Sequence, residues 1–191
     1  MALTSSSDPL VWIDCEMTGL NPPIDRILSI SCFITSHDLK LVDSVGFHAI
    51  IKTPRVVLNS MDEWCRNTHG RTGLTQACLV STTTAEEASE GLLAYLKQHV
   101  PEKSKALLAG NSVHADKLFL MQQPWVPILD WLHYRIFDVS AIKEAARRWC
   151  SREVLGGVPV KELNHSAEDD VKESIEEARY YMGLFKQMSR S

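Results

Sequence analysis

Two carboxylates at the end of an apolar strand constrain this chain more than any other feature. From Pro9 to Cys15 the sequence is compact, and Val11-Trp12-Ile13 has the make-up of a buried strand, yet Asp14 and Glu16 follow at once. A strand's side chains alternate, so both carboxylates project from one face at the strand's C-terminal end. The plain alternative is an exposed face of an edge strand, and the three apolar neighbours speak against it. Carboxylates beside a buried strand are costly unless they are paired or hold a cation, so the pair reads as two hard oxygen ligands. The turn residues Thr18-Gly19-Leu20-Asn21-Pro22-Pro23 must then end the strand.

The rest of the chain supplies a sheet around this first, central strand. A run of Ile, Leu, Cys and Phe from Arg26 to Thr35 predicts a second strand, Ser36-His37-Asp38 a turn, and Leu39 to Ile51 a third strand, giving an antiparallel meander. Helical patterns follow over Ser60 to His69 and Ala85 to His99, the latter with Leu92, Leu93 and Leu96 on one face and Pro101 behind it. Strand and helix then alternate: Lys105 to Gly110, Val113 to Gln122, Arg135 to Asp138, Ser140 to Cys150. After Gly156-Gly157, the segment from Ala167 to Met188 reads as a long helix with Val171, Ile175, Ala178 and Met182 on its apolar face. This order predicts an α/β fold of the ribonuclease H-like kind: a mixed five-stranded sheet, its first three strands antiparallel, flanked by helices. A length of 191 residues suits one domain, 1–191, with residues 1–8 expected to be flexible.

Charge narrows the choice of ligand. The formal net charge of -4 is the wrong sign for gripping long nucleic acid through phosphate neutralisation, so any nucleic-acid ligand should be short. An acidic balance also suits carboxylates gathered for divalent cations, which then supply the positive charge that phosphate needs. The 5 cysteines are scattered and contain no Cys-x-x-Cys pair, so neither a disulfide framework nor a zinc site is expected, and a reducing compartment is. No run approaches the roughly 20 apolar residues of a membrane span.

Two further segments carry chemistry. Ala109 to Asp116 ends a strand and opens a helix, placing Asp116 in its first turn with Ser112 on the same side; alone, Asp116 could equally be an acid at a helix N-terminus. In His165-Ser166-Ala167-Glu168-Asp169-Asp170, Ser166 can cap the last helix, Asp169 takes the reciprocal capping position, and Asp170 projects from the first turn. His165 lies just outside that helix, where it can meet a water.

The three segments together resemble the DEDDh exonucleases, whose pattern is Asp-x-Glu, a distant Asp, and His-x-Ala-x-x-Asp. The resemblance implies that Asp14, Glu16, Asp116 and Asp170 hold two Mg²⁺ or Mn²⁺ ions and that His165 is the general base; family spacing selects Asp170 over Asp169. Two such metals activate a water and stabilise the departing 3′-oxygen, while a histidine can take the water's proton at physiological pH. Within that superfamily, Met61-Asp62-Glu63-Trp64-Cys65, Gly73-Leu74-Thr75, Ala109 to Asp116, His133-Tyr134-Arg135, Asp138-Val139-Ser140 and the block from Lys143 to Trp149 resemble the oligoribonucleases, some of them closest to eukaryotic members. The likeness runs over nearly the whole chain and implies 3′-to-5′ hydrolysis of short RNA to nucleoside 5′-monophosphates.

By the same resemblance, Leu20 and Trp64 wedge and stack against bases, Ser112, Arg135 and Ser140 cap a 5′ phosphate, and Tyr134 reaches a neighbouring subunit's substrate, which implies a homodimer. Taken from composition alone, Trp64 could instead pack in the core, and His133-Tyr134-Arg135 could be a surface turn. A closed phosphate cap would explain how an acidic protein binds RNA. An intracellular location, cytoplasmic and/or mitochondrial, is expected. The competing readings are a DEDDh exonuclease acting on longer RNA or DNA ends and an inactive RNA-binding relative.

Overall fold

The computed structural model describes residues 6–160 and 167–189. Its centre is β1 (Leu10–Met17), which pairs antiparallel with β2 (Ile27–Thr35) from Leu10↔Thr35 to Met17↔Ile27. β3 (Phe47–Ile50) adds antiparallel to β2. On the other side β4 (Leu107–Gly110) and β5 (His133–Asp138) add in parallel, giving the order β3-β2-β1-β4-β5. The expected mixed sheet with three antiparallel strands is therefore present. β2 is buried along its whole length, as an interior strand covered on both faces must be.

The alternation of β1 sorts its side chains between two cores. Val11, Ile13 and Cys15 face a layer containing Leu92 and Leu96 of α4 (Ala85–His99), Phe119 and Leu120 of α5 (His114–Leu120), and Ile128 of α6 (Val126–Trp131). Leu10 and Trp12 face Val171, Ile175 and Ala178 of α9 (Ala167–Met188). Trp12 is fully buried, donates Nε1–H to Thr35 Oγ1 at 2.9 Å, and meets the Phe137 ring edge-on at 6.0 Å between centroids. α9 has the bounds that its sequence pattern gives, because its apolar stripe lies along the sheet.

The predicted third strand shortens from Leu39–Ile51 to Phe47–Ile50, with Leu41 making one isolated bridge to Thr35. Local polar bonds explain the difference. Asp43 accepts from the N–H groups of Val45 and Gly46, and Gly46 takes φ of 73°, a left-handed conformation that no strand accommodates. The helix predicted from Ser60 to His69 starts at Glu63 instead, as α2 (Glu63–Arg71), because the Asp62 carboxylate accepts from Cys65 N–H at 2.7 Å and caps it there; the short α1 (Arg55–Ser60) before it was not foreseen. α3 (Leu74–Val80) and α8 (Arg152–Gly156) were not foreseen, and neither was α6. Helices of five to seven residues are too short to show an amphipathic period. α7 (Val139–Trp149) follows β5 directly.

Candidate active site

The acidic cluster arises from the alternation that builds the core. Asp14 and Glu16 continue the face of Leu10 and Trp12, so where the apolar stripe of α9 meets Trp12, the first turn of α9 meets the two carboxylates. Oxygens of Asp14, Glu16 and Asp170 lie within 4.8 Å of one another. The same geometry brings in Asp170, the acid that family spacing selects.

Asp116 reaches the cluster from the side. β4 pairs with β1 only as far as Trp12↔Ala109, so beyond it the edge of β1 is uncovered on that side. Asp116 Oδ1 fills the opening and accepts from Cys15 N–H at 3.0 Å, between the two strand acids. Its side chain is buried, and burial pushes its pKa up to about 7 against the stabilising bonds from Cys15. Burial also raises Glu16 to about 7, with repulsion from Asp170 and Asp116 adding to it. Crowded hard oxygen donors of like charge are the donor set that a divalent cation fits, since bound cation removes the repulsion.

His69 was not anticipated as part of this region. It is buried, its Nε2 donates to Met17 O at 2.9 Å, and its Nδ1 stands 3.8 Å from Glu16 Oε2. The signal that could have found it is its spacing of four from Cys65, which puts both on the inward face of α2. His165, read as general base, and Ser166, read as the cap of the last helix, lie outside the described residues.

Of the residues assigned to substrate, Leu20, Trp64, Ser112, Tyr134 and Arg135 are exposed and Ser140 is half-buried. Leu20 is 86% exposed at the tip of a turn that Asp25 ties shut, accepting from Thr18 Oγ1 at 2.7 Å and from Asn21 N–H at 2.9 Å. That carboxylate passes so close that a Cβ on Gly19 would lie 2.5 Å from it. Trp64, in the first turn of α2, is 61% exposed, which removes the alternative of core packing. Tyr134 is 73% exposed, stacked on His133, with Arg135 Cζ 5.4 Å from its ring centroid. Ser112, held at φ of 51°, donates its N–H to Asp138 Oδ1 and to Ser140 Oγ, both at 3.0 Å. The two serines are thus side by side, and Arg135 is exposed on the neighbouring strand β5.

Comparison with known proteins follows the same lines. An exonuclease family model (RNase_T) matches residues 11–178. The probable oligoribonuclease of Drosophila melanogaster is 45% identical over 179 residues, covering 93% of this chain and 82% of its own. The oligoribonuclease of Halorhodospira halophila is 46% identical over 180 residues, 94% of this chain and 95% of its own. This chain belongs to the oligoribonuclease family. It is accordingly an exonuclease, and mitochondrial oligoribonucleases such as that of Bos taurus, 43% identical over 95% of this chain and 76% of its own, are among its relatives. Among solved structures, Escherichia coli exonuclease I in complex with a dT13 oligonucleotide superimposes with a TM-score of 0.69 at 14% identity, covering 94% of this chain and 43% of that one. This oligoribonuclease-family chain spans less than half the length of that larger enzyme, and the likeness establishes a shared fold.

Proposed function

We propose that this family member hydrolyses short RNA, dinucleotides to a few nucleotides, from the 3′ end to nucleoside 5′-monophosphates. The observation that carries the reading is the convergence of Asp14, Glu16 and Asp170 within 4.8 Å; the hydrogen-bonded pair Ser112 and Ser140 and the exposed Trp64 and Leu20 support it. Two divalent cations, Mg²⁺ or Mn²⁺, supply when bound the Lewis acidity that activates water and stabilises the leaving oxygen. Asp14, Glu16, Asp116 and Asp170 hold them, and Asp116 also fixes the backbone between the first two. His165 takes the proton from the attacking water. Leu20 and Trp64 engage the bases, while Ser112, Arg135 and Ser140 take the 5′ phosphate, a donor set that suits a phosphate dianion.

Residues 1–191 act as a single exonuclease domain in a homodimer, in which Tyr134 serves the partner subunit's substrate. The location is intracellular, cytoplasmic and/or mitochondrial; no described helix is long and apolar enough to cross a membrane. The test is cleavage of an RNA dinucleotide beside a 20-nucleotide RNA and a DNA dinucleotide, with Mg²⁺ or Mn²⁺ and with His165→Ala as control. Rapid, His165-dependent release of monophosphate from the RNA dinucleotide is expected. Preference for the long RNA or for DNA would instead favour a DEDDh exonuclease of different substrate range, and no cleavage of any would favour a binding protein.

Two substitutions test the substrate contacts separately. Trp64→Ala should cost little stability, because the ring is mostly exposed, but should raise KM for dinucleotides about tenfold or more through lost stacking, worth roughly 1–3 kcal/mol per base. An unchanged KM would remove Trp64 from the site. Tyr134→Ala should weaken cleavage while leaving Mn²⁺ binding and the dimer intact; full activity in the dimeric variant would sink the shared-site idea.

A further inference from the structure

Behind the two serines a polar chain runs into the interior. Glu177, two turns along α9 from Asp170, is only 1% exposed, and its Oε1 lies 3.1 Å from Lys143 Nζ. Its Oε2 accepts from Asn111 Nδ2 at 3.2 Å, and the same amide nitrogen donates to Ser174 Oγ at 2.9 Å. Asn111 Oδ1 therefore points the other way and accepts from Ser140 Oγ at 3.0 Å. Ser140 in turn accepts from Ser112 N–H at 3.0 Å and from Ser112 Oγ at 3.1 Å.

The donor and acceptor inventory makes this chain directional. A carboxylate offers only acceptors, so Glu177, together with Ser174 whose own proton goes to Asp170 O at 2.7 Å, fixes which end of the Asn111 amide faces them. The amide oxygen then occupies the single proton of Ser140, which leaves Ser140 an acceptor and Ser112 the hydroxyl that can turn its proton to an incoming anion. A half-exposed lysine lies against the deeply buried glutamate at the base of the chain, and removing one partner of such a network costs more than its average bond.

We propose that Glu177, acting through Asn111, is a positioning residue that sets the polarity of the Ser112–Ser140 pair and thereby its selectivity for a 5′-phosphorylated end. This rests on the reading of those serines as the 5′-phosphate cap. Glu177 itself touches no substrate. A glutamine at 177 can present one carbonyl where Glu177 presents two acceptors, and it must choose between Asn111 and Lys143. With the carbonyl turned to Lys143, its NH₂ faces Asn111, whose amide reverses and presents its own NH₂ to Ser140.

The experiment compares kcat and KM of the full chain on an RNA dinucleotide bearing a 5′ phosphate and on the same dinucleotide with a 5′ hydroxyl, with Mn²⁺. The wild type should prefer the phosphorylated substrate. In Glu177→Gln the preference should fall about fivefold to tenfold, the worth of one misdirected hydrogen bond, through KM for the phosphorylated substrate and with kcat on the 5′-hydroxyl dinucleotide unchanged. If Glu177→Gln does not fold, Asn111→Ala removes the link at a half-buried position and should produce the same split. A folded variant of either kind that keeps the wild-type preference overturns the proposal. A wild type without any preference overturns the cap reading beneath it.

Discussion

Glu16→Gln should lower metal-dependent cleavage by about a thousandfold or more and, at the same time, raise the melting temperature of the metal-free protein above neutral pH. The loss of rate follows from removing one of the crowded oxygen donors, since each 1.36 kcal/mol of transition-state stabilisation is about tenfold in rate and a metal supplies several. The gain in stability follows from the same crowding. Folding raises Glu16 from 4.5 to about 7 and Asp116 from 3.8 to about 7. An acid whose pKa rises on folding holds its proton more tightly in the folded chain. Its contribution is complete below the unfolded value and is lost as pH climbs through the folded one. The metal-free wild type should therefore lose stability between about pH 4.5 and 7, and Glu16→Gln should flatten part of that decline. Thermal denaturation in EDTA from pH 4 to 8 measures it, and parallel curves for the two proteins would contradict the argument. Added Mn²⁺ should stabilise the wild type most at the alkaline end, where ionised carboxylates bind it best.

Trp12→Ala should destabilise the fold by about 3–5 kcal/mol, the usual cost of deleting a large aromatic from a close-packed interior. Three features place it at the upper end. The side chain is fully buried, its indole N–H leaves Thr35 Oγ1 without that donor when removed, and it lies between Phe137 and the apolar stripe of α9. Its position matters for catalysis as well, because the contact that joins β1 to α9 also sets Asp170 against Asp14 and Glu16. The variant should therefore lose cleavage at temperatures where it is still folded, and should bind Mn²⁺ more weakly in proportion. Urea denaturation read beside Mn²⁺ titration separates the two effects; a destabilised variant with wild-type metal affinity would show that α9 is placed by other contacts.

What the sequence made legible was periodic. The alternation of β1 placed Asp14 and Glu16 together, and the stripe through Val171, Ile175 and Ala178 gave α9 and the face it buries. Local side-chain chemistry was harder to foresee. Asp43 cut the third strand short through bonds to the N–H groups of Val45 and of the left-handed Gly46, and Asp62 moved the start of a predicted helix from Ser60 to Glu63. The family pattern joined Asp116 and Asp170 to the Asp14-x-Glu16 segment, but the particular long-range hydrogen bonds were not legible. Asp116 bonds Cys15 across 101 positions, His69 joins Met17 across 52, and Asn111 joins Glu177 across 66, and no period announces any of these bonds. The blocks around Asn111 and Lys143 were visible as family resemblances, but that they meet beneath the serines is a property of the folded chain.

One helix carries both ends of this arrangement. Asp170 opens α9 and Glu177 lies seven residues on, about 10 Å along a rod that rises 1.5 Å per residue and is packed on the sheet by Val171, Ile175 and Ala178. On the proposed reading, the cation end and the phosphate end of the site are thus fixed on a common gauge, whose length no loop can adjust. An insertion of one residue between them would turn Glu177 about 100° away, so an enzyme of this build would need a redesigned rod, and a new core beneath it, to measure a longer molecule.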